Sequence, residues 1–215
     1  IHLNFLAYFL CFGLILVTSA ANAADTYVVD ATHSTVGFSV KHLTVSQVQG
    51  NFKTFEGLIT LDPKDAAATK VEATIDTKSI NTQNDQRDAH LRSADFFDAD
   101  TNPTILFKST SATVKGNIYN VTGEVTIKGV TKQITLPLTI AGPVKSPMGG
   151  NDVIGVSGQT KINRHDFGIK WNKQMDQGGY VVGDEVMIII NLEAHKKAAE
   201  NLQMDKLIID KADAK

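Results

Sequence analysis

One cysteine, Cys11, among 215 residues leaves no partner for an internal disulfide. Lysine plus arginine number 21 against 23 acids, so neither sign dominates. That balance gives no electrostatic case for nucleic acid or an anionic membrane as partner. One tryptophan and three tyrosines after residue 23 are too few for the aromatic girdles of an outer-membrane barrel. The longest apolar run, Leu3 to Val17, falls short of the roughly 20 residues a spanning helix needs. No G-x-S-x-G, P-loop, dinucleotide fingerprint or Cys-based metal motif is present. With 42% hydrophobic and 20% charged residues, the composition is globular and excludes a disordered chain, a collagen and a coiled coil.

The first segment has a meaning of its own. Residues 1–23 contain no Asp, Glu, Lys or Arg, and the apolar run ends in Ala21-Asn22-Ala23 before Ala24-Asp25. This reads as a secretory signal peptide, residues 1–23, with an A-x-A cleavage site. The expectation is a periplasmic chain beginning at Ala24, with Cys11 discarded. Such a chain, free of disulfides, is held by packing and backbone hydrogen bonds alone.

The rest alternates with the period of two that marks strands with one buried face. Val36, Phe38 and Val40 alternate with Gly37, Ser39 and Lys41. Val71, Ala73 and Ile75 do the same, as do Ile134, Leu136, Leu138 and Ile140. Lys115-Gly116-Asn117 and Lys128-Gly129 punctuate consecutive hairpins. Pro137 inside its run suggests an edge or a bulge. About eight long strands with short turns predict a closed antiparallel barrel, which can enclose one small ligand. The first strand is expected over 26–30 and 36–42 as one bent piece.

Three regions break the pattern. Residues 82–97 predict a short helical insertion capped by Thr82 or Asn84 and carrying Arg87, Asp88, His90, Leu91 and Arg92. Residues 142–151, rich in Gly and Pro, predict a loop. Residues 196–215 predict a charged helical tail with a weak stripe of Leu202, Leu207 and Ile208. The barrel proper is expected over 24–195. In the last strand, Val186 to Leu192 is apolar on both faces, so its outer face is expected to be covered by the helix, the tail or another subunit.

Five histidines follow residue 23, namely His33, His42, His90, His165 and His195, and none forms an H-x-H or H-x-x-x-H pair. No metal site is therefore expected. His90 with Arg87 and Asp88, and His165 with Arg164 and Asp166, are candidate acid/base clusters. A charged network pinning the barrel rim is the plainer reading of both. The aromatic residues say more. Phe38 and Phe107 fall on inward strand faces, and Phe96 and Phe97 end the helical insertion, where they could close one barrel end. A lumen of Phe, Val and Ile with no paired polar site suits a long apolar ligand. The candidate ligand-binding residues are Phe38, Val40, Phe52, Ile75, Leu91, Phe96, Phe97, Phe107, Val125, Trp171 and Ile188.

Five stretches carry a family likeness: HSTVGFSVKH (33–42), VQGNFKTFEG (48–57), NDQRDAHLRSADFFDADTNPTILFKS (84–109), GEVTIKGVTKQITLP (123–137) and NRHDFGIKWN (163–172). They resemble the YceI-like family of periplasmic polyisoprenoid-binding proteins over about residues 26–195. The resemblance implies an all-β fold, an eight-stranded antiparallel lipocalin-like barrel with a helix beside its opening. It also implies a non-covalent isoprenoid or acyl-chain ligand, no other cofactor, no catalytic residues and frequent homodimers. True lipocalins carry a G-x-W signature at the first strand, and here the lone tryptophan is Trp171, so that likeness is one of architecture. A carrier for a long-chain amphiphile such as a polyisoprenoid, an isoprenoid quinone or a fatty-acid derivative, without stable membrane insertion, is the expected function. A hydrolase using a rim His/Asp/Arg cluster is the alternative.

Overall fold

The computed structural model describes residues 24–62, 64–147, 149–176 and 178–198. The signal peptide and the helical tail expected from the sequence lie outside these residues, apart from residues 196–198. Ten strands form one antiparallel sheet: β1 (Asp25–His42), β2 (Ser46–Phe52), β3 (Phe55–Leu61), β4 (Lys70–Asp76), β5 (Ile80–Asn81), β6 (Thr104–Lys115), β7 (Ile118–Ile127), β8 (Val130–Lys145), β9 (Asp152–Asn163) and β10 (Val182–Lys196). They make eight staves, because β2 with β3, and β4 with β5, are each one stave broken midway. β1 pairs with β2 along its second half and with β3 along its first. At the break, Lys53 N–H donates to the Ser79 carbonyl and Asp76 N–H to the Thr54 carbonyl. The staves follow chain order, and β10 pairs back onto β1 to close the barrel. Closure removes the exposed edges an open sheet would present.

Tight turns set this order. Lys128 and Gly129 take φ of 49° and 73° between Ile127 and Val130, which face each other across the β7–β8 ladder. Two positive φ values in a two-residue loop match the twist of the flanking strands. Pro137 lies inside β8 opposite Asn120, neither on an outer edge nor in a bulge of that ladder. It falls where the β8–β9 ladder, which runs from Leu138 to Lys145, ends, so its missing N–H leaves no gap in the described pairing. The loop expected over 142–151 is shorter than predicted, because β8 continues to Lys145 after a register shift between Ala141 and Val144.

The β1–β10 ladder is also interrupted. Asp30 faces Glu193 and Thr35 faces Asn191, so Ala31 to Ser34 stand opposite the single Leu192. This bulge changes the side-chain parity of β1. Tyr27 is buried before it, whereas Val36, Phe38 and Val40 face inward after it. The two barrel ends differ accordingly. One end is solid, with Tyr27, Leu61, Val121, Ile154 and Ala194 all buried. Burial and the neighbouring Asp25 raise the Tyr27 phenol above its ordinary range.

At the other end lies the single α-helix among the described residues, α1 (Asp85–Arg92). Asn84 caps it by accepting from Arg87 N–H at 2.9 Å, with Asp85 and Asp88 in the first turn and His90 and Arg92 in the last. Charges so placed complement the helix dipole. Thr82, the other cap expected from the sequence, instead ties the helix to the sheet.

Candidate functional site

Inside the barrel, above the solid end, is a cavity of about 580 Å³. Its wall is built by strand alternation. The inward residues of β1 meet those of β10 in register, Val36 with Ile190, Phe38 with Ile188 and Val40 with Val186. Phe107 of β6 faces Val125 of β7 in the same way. All eleven residues singled out from the sequence line this cavity, from Phe38, Val40 and Phe52 through Ile75, Leu91 and Phe96 to Phe97, Phe107, Val125, Trp171 and Ile188. Met187 and Ile189, the outward apolar residues of β10, are half-buried.

Close packing of the aromatic rings depends on missing side chains. A Cβ on Gly50 would come within 2.5 Å of the Phe38 ring, and one on Gly123 within 2.7 Å of the Phe107 ring. Both glycines thus make room in the wall for a ring.

Two aromatic groups stand at the helix end. Phe52 contacts Phe38 with ring centroids 6.1 Å apart and Phe97 at 5.9 Å. Trp171 packs edge-on against His90 at 4.8 Å and, with its plane tilted by 43°, against Phe96 at 5.3 Å. The cavity reaches solvent here, because exposed Lys41, Asn84, Gln86 and Arg87 also line it. His42, His90 and Arg164 complete the polar part of the lining. These polar residues are confined to one end of an otherwise apolar space, and none of them is a carboxylate.

The two clusters weighed as acid/base sites serve to hold this mouth. Asp88 is buried, and its Oδ1 accepts from Thr82 N–H at 2.9 Å and from the Thr82 hydroxyl at 2.5 Å. Arg87 closes the loop, with Nε donating to the Thr82 hydroxyl oxygen and Nη2 to the Thr82 carbonyl. Arg92 donates to the carbonyls of Lys78 and Ile80. The helix is therefore docked chiefly by hydrogen bonds, with Leu91 turned to the lumen.

Arg164 is 4% exposed and clamps the long β9–β10 connection. It donates to the carbonyls of Ile169, Trp171, Gly183 and Val182 and pairs with Asp184 at 3.2 Å. Burial pulls its pKa below the usual guanidinium value, against the opposing pull of Asp184. His90 bonds Asp95 at 2.9 Å, and His165 Nε2 lies 3.2 Å from Asp184. Asp166 takes no part in the Arg164 clamp.

Sequence reasoning missed the polar mouth residues Lys41, His42, Asn84, Gln86, Arg87, His90 and Arg164 as cavity lining. His42 was readable, since it continues the parity of Phe38 and Val40. The inward Ile134, Leu136 and Leu138 were also readable from their alternation. Arg164 carried no such signal, because its partners are backbone carbonyls up to 19 residues away.

Comparison with known proteins follows the same outline. The YceI-like domain matches residues 27–194. A UPF0312 protein of Staphylococcus aureus is 40% identical over 157 residues, covering 73% of this chain and 90% of that protein. The crystal structure of Burkholderia cenocepacia BcnA superposes with a TM-score of 0.68 at 31% identity, covering 77% of this chain and 98% of that one. A polyisoprenoid binding domain from Saccharophagus degradans superposes with a TM-score of 0.61 over 80% of this chain and 98% of its own; at 18% identity it shares the fold.

Proposed function

The chain belongs to the YceI-like family, and from that premise we propose that it binds one long-chain amphiphile, an isoprenoid or acyl derivative, in the barrel lumen and carries it without chemical change. The observation that carries this reading is the cavity of about 580 Å³, apolar along its length and polar at a single end. A compact polar substrate would leave that wall without complementary contacts. A chain with one polar head matches it end for end, tail toward the buried floor and head beside Arg87, His42 and Gln86.

The volume sets a length. The enclosed space is finite, so a chain gains contacts with length only until the lumen is full. Burying each CH₂ contributes about 0.8 kcal/mol, so ten supply on the order of 8 kcal/mol before ordering costs. The fold relationship to a polyisoprenoid binding domain supports the same ligand class. Export to the periplasm after cleavage before Ala24, and assembly as a homodimer, are the remaining parts of the proposal. N-terminal sequencing and light scattering check them.

The ligand test uses the single tryptophan. Trp171 lines the mouth, so its emission reports occupancy without a label. Native mass spectrometry of the purified protein, then titration with isoprenoid and acyl chains of increasing length, should show affinity climbing until the lumen is full and then levelling. Affinity independent of chain length would overturn the reading.

A further inference from the structure

We propose that Asp30, His33, Glu193 and His195 form a site for a divalent transition-metal cation, Zn²⁺ being the representative ion, on the outer wall where β1 and β10 close the barrel. This site is separate from the lumen, because Asp30, Glu193 and His195 lie on the face of the ladder opposite the buried Tyr27 and Ala194.

The register supplies the first argument. Asp30 and Glu193 are direct cross-strand partners, and like charges so placed oppose pairing unless a cation sits between them. Two imidazoles converge on the same carboxylates. His33 Nδ1 lies 2.7 Å from Asp30 Oδ2 and 4.0 Å from Glu193 Oε1. His195 Nε2 lies 3.6 Å from Asp30 Oδ2 and 3.2 Å from Glu193 Oε1. One ligand atom each from Asp30, His33 and Glu193 falls within 4.8 Å of the others.

The separations among Asp30, His33 and Glu193 fit a shared ion, and His195 reaches the same two carboxylates at 3.6 and 3.2 Å as the fourth group. Ligands about 2.0–2.1 Å from Zn²⁺ at tetrahedral angles stand roughly 3.3 Å apart, near the middle of the observed range. Two nitrogens and two carboxylate oxygens also suit a borderline metal better than Ca²⁺ or Mg²⁺, which take oxygen ligands.

The surrounding backbone orients the groups. Thr32 N–H holds Asp30 Oδ1 at 2.8 Å, leaving Oδ2 to face the histidines. The Ser34 hydroxyl accepts from Glu193 N–H at 2.9 Å, which ties the residue next to His33 to the strand carrying Glu193. Ligand orientation by such outer contacts is usual in metal sites. The bulge at Ala31–Ser34 brings His33 over the ladder, and the ion would staple residues more than 160 positions apart in the chain.

The test uses the untagged protein, Zn²⁺ alone, and the double variant His33→Gln/His195→Gln. Calorimetry or equilibrium dialysis should find one Zn²⁺ per chain, with affinity about 100-fold weaker in the variant. Zn²⁺ should raise the melting temperature of the parent and not of the variant, since binding to the folded state alone stabilises it. Co²⁺ should show the strong visible bands of four-coordination. If the double variant does not fold, loss of those bands in Asp30→Asn supports the site, and their persistence overturns it. Absence of stoichiometric binding overturns the proposal. So does binding that survives the double variant, or binding lost instead in His42→Gln/His165→Gln.

Discussion

Removing the Asp88 carboxylate should loosen the helix from the barrel. Its Oδ1 takes two hydrogen bonds from Thr82, one from the backbone N–H and one from the hydroxyl, and both residues are buried. Hydrogen bonds to a charged group contribute about 1.5–3 kcal/mol each, and a buried donor left unmatched costs a similar amount. Partial relaxation and the relieved desolvation of the carboxylate offset some of this. Asp88→Ala is therefore expected to lose about 3 kcal/mol, seen as a lower midpoint in urea with unchanged slope. For a domain of this size that is roughly 6–12 °C in melting temperature. Asp88→Asn keeps an acceptor at about half the strength and should lose about half as much. Leu91, one turn on, lines the lumen, so chain binding should weaken in Asp88→Ala more than in Asp88→Asn. A Tm within error of the parent for Asp88→Ala would refute this account of the mouth. So would an Asn variant as unstable as the Ala variant, since the acceptor would then not be what matters. Hydrolysis lost in Asp88→Ala at unchanged Tm would favour an enzyme instead.

Other outcomes follow from the same geometry. Arg164→Lys should lose about 2–4 kcal/mol in urea unfolding, because one ammonium cannot reach the carbonyls of Ile169, Trp171, Val182 and Gly183 that the fork of Arg164 serves. Gly50→Ala should displace the Phe38 ring, which a Cβ would meet at 2.5 Å, and shift the near-ultraviolet dichroism and the chain affinity together. Val125→Trp should shorten the longest chain that stays bound in native mass spectrometry, while leaving shorter chains bound.

Much of the barrel was legible because its rules are local. Period-two runs such as Ile134, Leu136 and Leu138 place residues on the lumen face, and Lys128-Gly129 fixes a hairpin turn. Asn84 marks the helix start for the same reason, a side chain reaching its own backbone. What escaped was decided by partners distant in sequence. Nothing in Ala31–Ser34 says that four residues will face one, yet that bulge reverses parity and sends His33 outward. The clamp of Arg164 looked like a candidate acid/base group because its neighbours His165 and Asp166 are polar, while its real partners are carbonyls across a long connection. The run at 142–145 looked like loop for its Gly and Pro, but a neighbouring strand was there to pair with Val144.

A barrel built around a cavity should divide its stability unevenly, and β7 offers a matched comparison. Val121 is fully buried in the solid end, whereas Val125, two inward positions further along the same strand, lines the cavity. Both are valines in one strand, so Val→Ala removes the same atoms. At Val121 the methyls touch neighbours on every side, and their loss leaves a void as well as a transfer cost, about 2–3 kcal/mol. At Val125 one side already faces the cavity, so dispersion contacts on that side are absent, and the loss should be nearer 1 kcal/mol. A bound chain supplies the missing contacts. With ligand present, the cost of Val125→Ala should rise toward that of Val121→Ala, while the Val121 value stays fixed. Urea unfolding of both variants, empty and saturated with a chain of suitable length, measures all four quantities. Equal costs at the two sites in the empty protein, or no rise at Val125 on saturation, would mean that the chain does not lie along the lumen wall.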